Sequence, residues 1–143
     1  MKVAVVGSRH MSNYGKEVIN QLLITNYELR IKNWEIVTIR VMGCNSEVIR
    51  VAQKHKLKIK IFEGENFQKI NEDVADYADI LVIVEGGRGS GTLMLASNFI
   101  DKGKNVYCVP GRITDEGSYA TNWLIGEGAI PIIELENLTL VLQ

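Results

Sequence analysis

Residues 80–92 read ILVIVEGGRGSGT: five consecutive apolar residues, Ile80 to Val84, then Glu85 and a loop with glycine at 86, 87, 89 and 91. An unbroken apolar run without polar alternation suits a strand covered on both faces, as in the middle of a parallel sheet. The loop after it opens a helical pattern over 91–102. On the other side, Phe67, Ile70, Val74 and Tyr77 recur at helical spacing, which predicts a helix over 66–77. The same alternation extends in both directions. Strands are expected at 3–6, 35–41, 57–62, 105–109 and 130–133. Helices are expected from near Tyr14 (with Val18, Ile19, Leu22 and Leu23 on one face), over 46–55 and over 118–126. Strands separated by helices require parallel pairing with right-handed crossovers, because parallel neighbours need a long connection. The expected fold is α/β, a Rossmann-like doubly wound, mostly parallel sheet of about six strands with helices on both faces, forming one domain over 1–143. Ligands of such sheets collect outside the carboxyl ends of the strands, where strand order reverses. That directs attention to the loops after Val6, Val41, Val84 and Val109.

Bulk composition narrows the function classes. Sixteen basic against seventeen acidic residues give a net charge of −1, which argues against a broad electrostatic footprint for duplex DNA but leaves room for a local basic pocket. No apolar run approaches the ~18 residues that span a bilayer, so no membrane association is expected. The run from Val3 to Gly7 leads into Ser8-Arg9-His10 and lacks the features of a secretory signal, so the expected address is cytoplasmic. Cys44 and Cys108 stand far apart with no ligand partners at metal spacing, and read as reduced structural thiols. No metal and no cofactor is expected.

Three loops carry candidate chemistry. In Gly86-Gly87-Arg88-Gly89-Ser90-Gly91-Thr92, the glycines let backbone N–H groups approach a phosphate at the positive end of a helix, and Ser90 and Thr92 add hydroxyl donors. The alternative is a plain tight turn. The lysine of a P-loop is missing and no G-x-G-x-x-G follows the first strand, so ATP hydrolysis is not supported. After the first strand, Gly7 permits close approach, Ser8 offers a hydroxyl and Arg9 a bidentate guanidinium. On the same rim Arg112 follows Pro110-Gly111, with Ser118 and Asn122 opening the next helix. Asn45 is either a helix cap or a ligand residue. His10 and His55 have no evident partners. Glu85, Asp115 and Glu116 are the carboxylates available as general bases, although loop-tip carboxylates are usually solvated. No nucleophile with a base stands out, so binding without turnover is the expectation.

VAVVGSRHMSNY at 3–14, SGTL at 90–93 and VPGRIT with S-x-x-T-N-x-L-I-x-x-G-A through 109–129 resemble the DNA-processing protein A family, DprA or Smf, within the SLOG group of Rossmann-like nucleotide-binding proteins. The resemblance implies a dimeric Rossmann domain that binds single-stranded DNA and passes it to a recombinase. Gly7-Ser8-Arg9 match the family's phosphate-contacting segment, and Gly89-Ser90-Gly91-Thr92 its second loop. Asn66-Phe67 and Asn71 match the N-F-P-x-R-N-R stretch, but Ile70 and Glu72 replace its arginines and Gln68 its proline. The resemblance thus implies fewer phosphate contacts, with Glu72 repelling a backbone in the pocket and Lys69 as a partial substitute. The family's S-G-x-A-R-G-I-D segment is replaced by Val41 to Asn45. The related LOG phosphoribohydrolases close P-G-G-x-G-T-x-x-E with a glutamate that this chain lacks at Leu95. Three expectations stand side by side: DprA-like binding of a nucleotide or single-stranded DNA through phosphate contacts, N-glycosidic hydrolysis of a nucleoside phosphate or ADP-ribose-like substrate, or nucleotide sensing in signalling. Phe67, Tyr14 and Tyr119 are the aromatic residues near the loops, and Trp123, Leu124 and Ile125 supply either a dimer face or core.

Overall fold

The computed structural model describes residues 1–28 and 34–136. In chain order the elements are β1 (Lys2–Val6), α1 (Asn13–Glu28), β2 (Glu35–Ile39), α2 (Cys44–Lys54), β3 (Ile59–Phe62), α3 (Phe67–Tyr77), β4 (Ile80–Ile83), α4 (Gly91–Asp101), β5 (Val106–Cys108), a 3₁₀ turn (Glu116–Ser118), α5 (Tyr119–Gly126) and β6 (Ile130–Pro131). The strands form one six-stranded sheet in the order β3-β2-β1-β4-β5-β6, and every neighbouring pair is parallel. The expected Rossmann-like architecture is therefore observed, with its switch point between β1 and β4.

Period-two alternation divides the central strands between two cores. Val3 and Val5 of β1, with Ile80 and Val82 of β4, pack on Ile19, Leu22, Val48 and Val51 of α1 and α2. Ala4 and Val6, with Leu81 and Ile83, pack on Ile70, Val74, Leu95, Phe99 and Leu124 of α3, α4 and α5. A central strand buried on both faces has no polar position to offer, so the apolar runs are continuous. Each fully buried Val or Ile is worth about 1.5–3 kcal/mol. A charge introduced at Val5 or Leu81 would remove that contribution and add an unpaired buried ion.

Element ends differ from the expectation where tertiary bonds intervene. β2 stops at Ile39 rather than 41 because the Val41 N–H turns back onto the Ile39 carbonyl at 2.9 Å. α2 starts at Cys44, ahead of Asn45, because Gly43 (φ 85°) presses against the backbone of Ser8 and Arg9, a fit only glycine allows. Cys44 N–H then donates to the Ser8 carbonyl at 2.9 Å. Asn45 is thus not the cap of α2. At the opposite end of the sheet, Lys104 Nζ donates to the carbonyls of Ala75, Asp76 and Ala78 at 2.6–3.2 Å, closing the C-terminus of α3.

Candidate functional site

Because β1 and β4 are adjacent and parallel, the loops that leave them start side by side, while the helices that follow diverge to opposite faces of the sheet. Between them lies a cleft of about 740 Å³, bordered by residues 7–10 and 87–92, by Asn45, by Phe67 and Asn71 of α3, and by Glu116 and Gly117.

The loop after β1 is held from behind. A side chain at Gly7 would run into Cys44, whose Cβ would lie 2.7 Å away. Asn45, 3% exposed, accepts from Gly7 N–H and donates to the Ile39 carbonyl, both at 3.0 Å. One carboxamide thereby fixes the ends of β1 and β2 to each other. Ser8 Oγ accepts from His10 N–H at 2.9 Å, which tightens the turn. Arg9 is exposed, and its guanidinium lies 5.2 Å from the centre of the Phe67 ring. It forms no ion pair with any described residue.

Glu85, the residue between β4 and the glycine loop, is buried and turns away from the cleft. Its carboxylate accepts from Ser12 N–H at 2.8 Å and Ser12 O–H at 2.6 Å, and from the Cys44 thiol at 3.4 Å. Ser12 Oγ in turn accepts from Gly15 N–H at 3.0 Å, so Ser12 caps α1 while bonded to β4. Gly15 is required here because any Cβ would collide with the Glu85 carboxylate. The expectation of a solvated rim carboxylate at Glu85 is corrected: it is a strut behind the loop. Burial, and then the nearby Glu85 charge, push the Cys44 thiol far above its usual range. Burial alone raises Cys108 to about 12. Neither sulfur is a thiolate at neutral pH, and both are free thiols.

The glycine loop leads into α4, where Ser90 is the N-cap. Its Oγ accepts from Thr92 N–H at 3.2 Å and lies 2.8 Å from Thr92 Oγ1. Gly86 is buried in a turn, its N–H donating to the Gly117 carbonyl at 2.7 Å and its carbonyl accepting from Ala120 at 2.8 Å. The N–H groups of Ser8, Arg9, Gly87, Gly89 and Gly91 find no acceptor among the described residues. All five residues border the cleft, and Gly91 sits at the positive end of α4. Arg88 N–H donates to Glu116 Oε1 at 3.2 Å, while its guanidinium stacks 4.1 Å from the Tyr119 ring centre.

Of the residues singled out in the sequence, Gly7, Ser8, Arg9, Asn45, Gly87, Arg88, Gly89, Ser90, Gly91 and Thr92 meet at this cleft. Four others do not line it. Gly86 is enclosed behind the loop, and Arg112 is paired with Asp115 at 2.9 Å. Asn122 clasps the N–H and carbonyl of Gly111 at 3.2 and 3.0 Å. Ser118 is buried beneath Gly111, where a Cβ on the glycine would strike its hydroxyl. These residues shape the neighbouring rim, which Tyr14 also braces by donating to the Pro110 carbonyl at 2.8 Å. Glu72 is exposed and does not face the cleft, so no repulsion arises there, and Ile70 belongs to the core. Lys69 pairs with Asp73 at 3.5 Å outside the cleft and supplies no substitute cation. Leu124 is buried, Ile125 packs on the core and Trp123 is half exposed.

Residues that sequence reasoning did not place in the site are His10, Phe67, Asn71 and Glu116, with Ile39, Val41, Met94 and Leu95 as apolar wall. Phe67 and Asn71 carry a legible signal, since a spacing of four puts both on one face of a helix. The apolar wall does not, because each of its residues also fits a core position.

Fold and cleft together define a Rossmann-like domain with glycine loops, two guanidiniums and free amides facing a ligand site at the switch point. The family comparison agrees. The chain belongs to the DNA recombination-mediator protein A family, whose pattern matches residues 57–143. It is 33% identical over 78 residues to Protein Smf of Escherichia coli, a match covering 54% of this chain and 21% of Smf. Among solved structures, DNA processing protein A of Streptococcus pneumoniae superposes with a TM-score of 0.84 at 22% identity, covering 97% of this chain and 60% of that one. DNA processing protein A of Helicobacter pylori, described for its single-stranded DNA binding mode, superposes at 0.76 with 20% identity, covering 99% and 80%. The chain spans less than two thirds of the length of Smf and of the Streptococcus protein.

Proposed function

We propose that the cleft binds single-stranded DNA, or a nucleotide presenting the same phosphate, through Arg9, Arg88 and the amides of the glycine loop. The observation that carries this is the meeting of Arg9 with residues 87–92 around one cleft whose amide donors are unused. Donors of this kind, fixed by struts such as Asn45 and Glu85, stabilise an anion without reorganising. Family membership supports DNA as the polymer, and the Helicobacter relative is known for binding it single-stranded. Sequence preference from the phosphate contacts is slight. In this reading the chain is a cytoplasmic DNA-binding unit of recombination, acting as a homodimer that passes DNA to a recombinase. Titration of the purified chain with short oligo(dT) and with a mononucleotide panel, at low and high salt, tests it. Salt-sensitive oligonucleotide binding is the expected result. Saturable binding of a mononucleotide alone replaces DNA with a small ligand. Release of free base in the same mixtures overturns the non-enzymatic reading and points to Glu116, the carboxylate that lines the cleft.

A further inference from the structure

Three asparagines are at least nine-tenths buried, and they differ in one respect. Asn26 donates to the Leu22 and Leu135 carbonyls at 2.7 and 2.9 Å. Asn45 is bonded through both ends of its amide. Asn71 is 7% exposed, borders the cleft, and its carboxamide has no hydrogen-bond partner among the described residues. Burying an amide without a partner costs about 1–3 kcal/mol, so the chemistry of this position is completed from the cleft side. The wall around it is apolar: Ile39, Val41, Phe67, Met94 and Leu95. The guanidiniums and unused amides belong instead to the loops after β1 and β4.

A phosphate would be poorly placed against that wall, whereas a flat apolar body with a polar edge matches it. We infer that the β2-α3-α4 side of the cleft is a nucleobase subsite in which Asn71 reads the edge of a base inserted from the bound strand. The inference rests on the phosphate reading above and deepens it, since it makes one base, rather than the backbone alone, part of the recognised ligand. A carboxamide pairs a donor and an acceptor against the edge of a base and discriminates among edges by the order of those groups. Asn71 is therefore the specificity-determining residue of the cleft.

The test compares oligo(dT) with an abasic phosphodiester of equal length and charge, by competition against a fluorescent oligonucleotide, on the full chain and on Asn71→Ala. Homo-oligomers of dA and dC extend the series. The expected result is about tenfold weaker binding of the abasic strand by the unmodified chain, a gap that closes in Asn71→Ala, together with a changed order among dT, dA and dC. Asn71→Asp, which keeps the volume and removes the amide donor, reorders the bases again. Should Asn71→Ala fail to fold, the abasic comparison on the unmodified chain still decides. Equal binding of both strands overturns the base subsite and leaves the phosphate reading standing. Binding of neither strand overturns both. A persisting gap with an unchanged base order in the variants removes Asn71 from the role.

Discussion

Replacing Arg9 with alanine removes one of two guanidiniums that border the cleft. Arg9 makes no ion pair with described residues and leans only on the Phe67 ring at 5.2 Å, a contact worth about 0.5–1 kcal/mol at an exposed position. Folding stability should therefore change by no more than about 0.5 kcal/mol. Ligand affinity should change far more, because a charge-assisted bond to phosphate contributes about 1.5–3 kcal/mol, or roughly 10- to 150-fold in Kd. Salt dependence gives a second, independent number. If Arg9 and Arg88 each neutralise one phosphate, log K should fall against log salt with a slope of about −1.4 for a single strand, and of about −0.7 once Arg9 is gone. Fluorescence anisotropy of a labelled oligo(dT), titrated between about 50 and 200 mM salt, measures affinity and slope together, and thermal melting checks the fold. An Arg9→Ala chain that melts normally and keeps both the affinity and the slope of the parent would refute the placement of phosphate at this loop.

Glu116→Gln should strengthen oligonucleotide binding about threefold, since it removes a carboxylate bonded to the Arg88 N–H and thus about 0.7 kcal/mol of repulsion at ~6 Å in water-like dielectric; unchanged or weaker binding by the same titration argues against an anion beside that amide. Asn45→Ala leaves the Gly7 N–H and Ile39 carbonyl without their buried partner and should cost about 2–4 kcal/mol in urea unfolding; a loss under about 0.5 kcal/mol would show that the strut carries no strain-bearing role. Glu47 is held at about 2, below its usual 4.5, first by the hydrogen bond from Arg50. A depressed folded-state pKa gives stability that is full above pH 4.5 and lost as pH falls toward about 2. Because Arg50 is half exposed, screening leaves on the order of 1 kcal/mol. Glu47→Gln should accordingly flatten acid unfolding in that window, and an identical acid limb in the variant would remove Glu47 from the account.

The fold was legible wherever a strand is central. Val3 to Val6 and Ile80 to Val84 are covered on both faces, so their sequences carry no alternation and little ambiguity. At the edges, where one face is wet, the ends slipped. β3 starts at Ile59 rather than 57, and β6 shrinks to Ile130–Pro131. The glycine loops were legible because close backbone approach leaves glycine no substitute. What could not be read was the direction of polar side chains. Glu85, Ser118 and Asn122 stand on or beside loops in sequence, yet each is turned inward by a partner more than two residues away, Ser12 and Gly15 for Glu85 and Gly111 for the other two. Asn71 had the opposite fate, reaching the cleft from inside a helix whose neighbours Ile70 and Val74 are core. Pattern assigns a residue to a helix face, but only the packed neighbour decides whether its amide is answered.

The same contrast explains how a chain of near-zero net charge can hold an anion. Most polar side chains around the cleft are committed to protein backbone: Asn45 to β1 and β2, Glu85 to α1, Ser90 to its own helix, Asn122 to the loop after β5. These bonds stiffen the loops and leave the backbone N–H groups as the outward donors. Fixed amides supply positive potential without adding formal charge, and they cannot swing away to pair with a surface carboxylate as a lysine can. Only Arg9, Arg88 and Asn71 then remain to distinguish one ligand from another. A phosphate site built from backbone is insensitive to most side-chain substitutions on its rim, so loss of function should concentrate at the two arginines, at Asn71, and at the glycines and struts that hold the amides in place.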